Sequence, residues 1–174
     1  MAQIQGERPG AHAGTEQSQQ YLTFMLTGEV FAMEILAIRE IIEYASLTAV
    51  PLMPEYVRGV INLRGSVVPV IDLSVRFGKP ASPVTKRTCI VIVEFAAPAQ
   101  RQIVGVVVDA VNAVLDIAPD EIEPPPTFGT RIRTDFIQGM GKVDGRLVIL
   151  LVISHVLASQ EMSLLADLQE AAAA

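Results

Sequence analysis

The chain has 174 residues, a formal net charge of −6, 51% hydrophobic and 18% charged side chains, one cysteine and no tryptophan. This composition excludes an internal disulfide framework and a basic nucleic-acid platform, and a lone Cys89 fits a reducing compartment. A chain of this length buries roughly two-thirds of its unfolded surface and needs no disulfide or metal staple.

Met1 to Gln20 is rich in Gly, Gln and Ala, without periodicity, and reads as a disordered leader. Its first residues, MAQIQGERPG, hold no apolar core, so no signal peptide is expected. Order is expected from Tyr21: YLTFML, a turn at Thr27-Gly28-Glu29, then VFAME as a second strand. Ile35 and Ile38 have helical spacing and predict a single turn before IIEYA returns to strand.

Pro51 and Pro54 mark a loop before the stretch that organises the chain, RGVINLRGSVVPVIDL from Arg58 to Leu73. Two apolar runs around a glycine predict a β-hairpin. Pro69 fixes its turn. With Arg64 and Gly65 central, Pro69 faces Val60 at a non-hydrogen-bonded pair, where its missing N–H matters only toward a third strand.

Gly78–Lys86 reads as a connector, followed by strands over Thr88–Phe95 and Gln102–Val108 and an apolar pattern at Val111, Val114 and Leu115. Pro124-Pro125-Pro126 is a stiff loop, and Asp144-Gly145 is a type I′ signal inside VDGRLVILLVI. His155 to Leu168 reads as helix, with a frayed alanine tail. The longest apolar run, Leu147–Ile153, is far short of the ~20 residues that a membrane span needs. A cytoplasmic protein is expected.

The chain repeats itself. A shift of 80 residues lays Gly59 on Gly139, Leu63 on Val143, Gly65 on Gly145 and Val67-Val68 on Leu147-Val148. A shift of 73 lays VFAMEILAIREII on IVGVVVDAVNAVL and Pro51 on Pro124. Each unit is too small and short-stranded for anything but a little barrel. The fold class is therefore mostly β: two similar antiparallel barrels packed together, with short helices between strands and at the C-terminus. The expected divisions are a leader over 1–20, a body over 21–158 split near 87/88, and a C-terminal helix and tail over 159–174. Whether the barrels exchange a strand is left open.

Catalytic parts are scarce. His12 falls in the leader, and His155 opens an apolar helix with no group placed to orient it. Cys89 sits in a strand, the usual setting of a small buried hydrophobe. No Cys or His pair has metal-ligand spacing, and Gly141-Lys142 fails as a phosphate loop because Phe136 stands where its first glycine must be. Asp72 and Asp109 each end an apolar run and read as turn formers. The repeats differ chemically at Glu40 against Ala113 and at Arg64 against Asp144, which points to local use of those charges.

VRGVINLRGSVVPVIDL, VDAVNAVL and QGMGKVDGRLVILL together resemble the CheW family of bacterial chemotaxis coupling proteins, in order over about Tyr21 to Leu168. The resemblance implies two five-stranded Src-homology-3-like barrels without catalytic activity or cofactor. It also implies an adaptor between the cytoplasmic tip of chemoreceptors and the regulatory domain of the histidine kinase CheA, located at receptor arrays on the inner face of the membrane. Carried over by position, the receptor groove would use Ile38, Glu40, Gly59, Arg64, Cys89 (a valine is commoner in the family) and Val114. The resemblance places kinase contacts on the second barrel and on the far side of the first, without naming side chains. A kinase regulatory domain or receiver fusion is not expected, since no ATP-binding, phosphotransfer or receiver segment is visible. The rival from another class is a ligand-binding barrel or a hydrolase using Asp72 and Asp109. It would need a polar-lined pocket, whereas the adaptor reading expects a shallow apolar groove flanked by Glu40 and Arg64.

Overall fold

Strand formation follows the apolar runs, and the computed structural model describes residues 18–96, 101–125 and 136–156. Strands β1 (Gln19–Leu26) and β2 (Glu29–Glu34) form a hairpin. A 3-10 turn over Ile35–Ala37 leads to β3 (Ile38–Glu43). The organising hairpin is β4 (Val57–Leu63) and β5 (Ser66–Asp72), closed by α1 (Leu73–Arg76). A second hairpin, β6 (Cys89–Ala96) and β7 (Arg101–Val108), runs into β8 (Ala110–Ile117). The short β9 (Ile122–Glu123), then β10 (Ile137–Val143), β11 (Arg146–Leu151) and α2 (Ile153–Val156) complete the described chain.

The turns obey the glycines. Thr27-Gly28, Arg64-Gly65 and Asp144-Gly145 all have two successive positive φ angles, the type I′ geometry that matches strand twist. Leu63 faces Ser66 and Val60 faces Pro69, the register that the proline demands. Pairing of β5 with its other neighbour starts only at Val70, so the missing N–H costs no ladder bond.

Sheet membership does not follow the halves 21–87 and 88–158. One sheet has the order β3-β6-β7-β5-β4, and the other β9-β10-β11-β2-β1-β8. Each unit lends its first hairpin to the other, so the exchange left open by the sequence is an exchange of whole hairpins. The five-stranded sheet is continuous over 38–108; the six-stranded sheet joins 19–34 to 110–151. Further corrections to the expected pair of five-stranded antiparallel barrels concern pairing and closure. The exchanged hairpins dock through parallel pairs, β5 on β7 and β11 on β2, and among the described residues no strand-to-strand ladder closes either sheet; a single isolated bridge, Thr48 to Val60, spans the edges of the five-stranded one.

Two-sided burial explains the exchange. Val91, Val93 and Phe95 of β6 face a core shared by the sheets, with Phe24, Phe31 and Leu151 across from them. Ile90 and Ile92 face their own sheet's interior, with Val70 and Val107. In the same way Leu22 and Phe24 of β1 meet the shared core while Tyr21 joins Ile117 and Leu150 on the other face. Strands apolar on both faces must sit between two packed layers, and the exchanged hairpins do. At Gly105 a Cβ would come within 2.7 Å of Ile90, so the five-stranded interior leaves no room there.

The sequence boundaries shift slightly. β1 begins at Gln19 rather than Tyr21, because Gln19 and Gln20 pair with Ile117 and Asp116. The expected helix over His155–Leu168 begins at Ile153, and its remainder, like most of the leader, lies outside the described residues. No helix among the described residues is long and apolar enough to cross a membrane.

Candidate functional site

β3 and β4 are the outer strands of the five-stranded sheet, yet the curl of the sheet brings them toward one another. A seam of three contacts joins β3 and the segment after it to the β4–β5 hairpin. Thr48 bridges Val60 by backbone hydrogen bonds of 3.0 and 2.9 Å. Arg58 donates to the Tyr44 hydroxyl at 2.8 Å. Arg64, at the hairpin tip, donates through both terminal nitrogens to the Glu40 carboxylate, at 2.6 and 2.8 Å.

The Arg64 fork has its geometry set from below. Asn62 accepts from the Gly65 amide at 2.9 Å, fixing the turn, and Arg64 itself takes φ 52°. The hydrogen bond from Arg64 holds the Glu40 carboxyl below the usual carboxylate range, and Glu40 in turn raises Arg64. Bidentate arginine–carboxylate geometry adds direction to charge. The Arg64 side chain remains 72% exposed, so the clasp is also a surface.

Glu40 reaches the seam because of a bulge. Ile38 pairs with Val93 and Glu40 with Ile92, leaving Arg39 as the extra residue, which contacts Glu94 at 3.5 Å. The bulge lets Ile38 pack on the shared core while Glu40 faces the seam. Cys89 starts β6 opposite Glu43 and Val108, and also packs on the shared core; burial, then Glu43, pushes its thiol up. Val114 belongs to the other sheet, opposite Leu22 and therefore on that sheet's shared-core side, 47% exposed. Gly59 is buried, with φ 151°, and a Cβ there would lie 2.5 Å from the Thr48 carbonyl. It permits the seam rather than forming a surface.

The structure thus joins Glu40 to Arg64 directly, sets Ile38, Cys89 and Val114 on faces turned toward the inter-sheet layer, and puts Gly59 beneath the hairpin. Neither of two hollows among the described residues is lined by Glu40 or Arg64. One, of ≈ 430 Å³, lies in the six-stranded sheet between Thr23, Val30, Leu115, Val143, Asp144 and Leu147. The other, of ≈ 250 Å³, lies between the sheets, with Glu34, Ala37, Phe95, Gln138 and Ser154 on its walls.

Asp72 is committed to structure. It is 1% exposed; one oxygen receives Arg58 at 3.0 Å and the other caps α1 through the Ser74 amide. Arg58 also donates to the Ser82 carbonyl, tying down the connector. Sequence reasoning missed this network, although Asp before Leu-Ser-Val is a recognisable helix N-cap signal. Asp109 accepts from the Thr27 amide at 2.9 Å and donates its own amide to Met25. No group of three or more His, Cys, Asp or Glu among the described residues could hold a metal ion.

A family model described as CheW-like domain matches residues 20–161. The chain is 35% identical over 152 residues to the chemotaxis protein CheW of Klebsiella aerogenes, covering 87% of this chain and 89% of that protein. The chemotaxis protein CheW of Rhizobium meliloti is 33% identical over 147 residues, 84% of this chain and 92% of the relative. The crystal structure of the scaffolding protein TtCheW from Thermoanaerobacter tengcongensis superposes with a TM-score of 0.74 at 35% identity, covering 83% of this chain and 90% of that one.

Proposed function

The chain belongs to the CheW-like domain family of chemotaxis scaffolds, and on that premise we propose that it couples the cytoplasmic tip of chemoreceptors to the regulatory domain of the histidine kinase CheA. It would act in the cytoplasm at receptor arrays and without catalysis. The observation that carries the receptor half is the Glu40–Arg64 clasp, a fixed and exposed pair of opposite charges at the rim of the five-stranded sheet. Ile38, Cys89 and Val114 supply apolar ground for the receptor tip along the inter-sheet margin; Gly59 acts through the backbone approach that it allows.

For the kinase we propose the hollow of the six-stranded sheet. It stands where the first sheet has its clasp, and its rim carries the exposed Leu147 together with Asp144. An adaptor of this kind works by raising the effective concentration of one partner near the other and by selecting one arrangement of them. The rival hydrolase loses one of its two carboxylates to the Arg58 network, since Asp72 has both oxygens engaged.

The test is reconstitution of kinase autophosphorylation from purified kinase and receptor fragments, with and without the chain. Receptor control of the kinase should need it. Full control in its absence would sink the proposal.

A further inference from the structure

Arg76 ends α1 in the five-stranded unit, but its side chain leaves that unit. The guanidinium carbon lies 5.2 Å from the Tyr56 ring centre and 4.8 Å from that of Phe136, which belongs to the other sheet's unit. Its Nε donates to the Val156 carbonyl of α2 at 2.9 Å.

Phe77 follows the same path. Its ring is 5.8 Å from Phe31 and 6.0 Å from Phe136, and Phe31 lies 6.1 Å from Phe24. Four phenylalanine rings, the guanidinium and the Tyr56 ring thus make a continuous chain of ring contacts that runs through the shared core. The dipeptide Arg76-Phe77 is the part contributed by the five-stranded unit. In the repeat Arg76 falls on Val156, a fully buried aliphatic residue of the shared core, so the charged member of the contact comes from the five-stranded unit.

Burial of aliphatic surface is non-directional and lets two packed layers slide. Stacked planes and a charged donor on a carbonyl do not. Lys79 adds a second tie between the units, to Thr27 at 3.2 Å and Glu29 at 3.9 Å, but through partly exposed groups.

Building on the adaptor reading, we propose that Arg76 and Phe77 form a positioning plug that fixes the orientation of one sheet against the other, and that this orientation sets how strongly a receptor controls the kinase. The receptor-facing clasp and the kinase-facing hollow lie on different sheets, so a signal passing between them depends on how those sheets are held.

The test uses the full chain and its Arg76→Gln and Arg76→Lys variants, with a receptor cytoplasmic fragment and kinase cloned from the same genome. Gln loses charge and stacking plane, whereas Lys keeps the charge alone. For Arg76→Gln, amide hydrogen exchange at Val152, which bonds the Phe136 carbonyl, should quicken at least tenfold. The dissociation constants for receptor fragment and for kinase regulatory domain, measured separately, should stay within about twofold of the parent chain. Receptor-dependent stimulation of the kinase should fall at least threefold, and Arg76→Lys should lie between. If Arg76→Gln fails to fold, Arg76→Lys carries the same comparison.

Stimulation that persists while exchange has quickened would overturn the proposal. So would unchanged exchange, or binary affinities that weaken in step with stimulation. A parent chain that gives no receptor-dependent stimulation at all would instead remove the adaptor reading itself.

Discussion

The five- and six-stranded sheets carry the same irregularities at matching positions. Strand bulges fall at Arg39 and Asn112, and again at Arg58 and Gln138. A glycine admits a neighbouring backbone at Gly59 and at Gly139. What fills these positions differs. In the five-stranded sheet Arg39, Arg58 and Arg64 meet Glu94, Asp72 and Glu40. In the six-stranded sheet Gln138 makes one hydrogen bond, to the Tyr21 hydroxyl, and the Glu40 and Arg64 positions hold Ala113 and Asp144, beside an open hollow. The scaffold is set by glycine and backbone, and the charges are a separate layer laid over it. A duplicated sheet can keep the first and exchange the second.

Removing the ion pairs should therefore affect the two sheets very unequally. Arg58→Met strands Asp72, a buried carboxylate, and should cost about 3–5 kcal/mol in denaturant unfolding. The counterpart Gln138→Leu forfeits a single hydrogen bond, about 1 kcal/mol. Arg58→Met with Asp72→Asn should regain a good part of the loss, since an amide still caps α1. Equal losses for Arg58→Met and Gln138→Leu would end the comparison.

The glycines should behave alike, because both admit backbone. Gly59→Ala places a methyl group against the Thr48 carbonyl at a φ that side chains avoid, which costs about 2–4 kcal/mol. Gly139→Ala meets the Glu123 carbonyl at 2.6 Å and the Ile122 side chain at 2.5 Å without that φ, so its shift in unfolding midpoint should be the smaller of the two.

At the seams the effect should appear in binding rather than in folding. Reversal of Glu40 or Arg64 alone should leave the melting temperature within about 2 °C, because the pair is exposed. Receptor affinity should fall about tenfold or more. The double reversal Glu40→Arg with Arg64→Glu should recover part of it. Conversely, Ala113→Glu with Asp144→Arg gives the six-stranded sheet a clasp, and kinase binding should drop about tenfold with receptor binding spared. Single reversals that bind receptor as the parent chain does at low salt would refute the assignment.

The smallest expected effect is in acid. Glu40 and Glu94 are both held below the ordinary carboxylate range by hydrogen bonds from Arg64 and Arg101. A depressed folded-state value means that the stabilisation is complete above the unfolded-state value and is lost as pH falls through the folded one. Ala113 has no proton to take up, so acid should release a Glu40-type clasp in the five-stranded sheet and no counterpart of it at Ala113. Thermal unfolding followed downward from pH 6 should show a dependence that Glu40→Gln flattens. An equal slope in Glu40→Gln would remove Glu40 from this account.

Much of this was legible in the sequence, for definite reasons. Gly28, Gly65 and Gly145 announce type I′ turns, Pro69 sets the register of its hairpin, and the offsets of 80 and 73 residues reveal the duplication. The exchange of hairpins was not legible. Val and Ile on both faces of β6 and β7 show that two layers cover them, but not which sheet supplies the parallel partner. The Arg58 network was hidden because Arg58, Tyr44, Asp72 and Ser82 meet only in space. Glu40 and Arg64 were found because the repeats disagree there, while Val114 in the other sheet came only from the family resemblance.

The hairpin exchange also has a consequence in time. As the chain leaves the ribosome, every strand of the five-stranded sheet has emerged once Val108 is out, and that sheet can form while synthesis continues. The β1–β2 hairpin has no such opportunity. Thr23 must wait for Ala113, 90 residues later, and Phe31 for Ile149 near the end of the described chain. Until then a two-stranded hairpin with apolar residues on both faces stays unpaired, marginal alone and open to capture by a neighbouring nascent chain. β8 rescues β1, and β2 waits for β11.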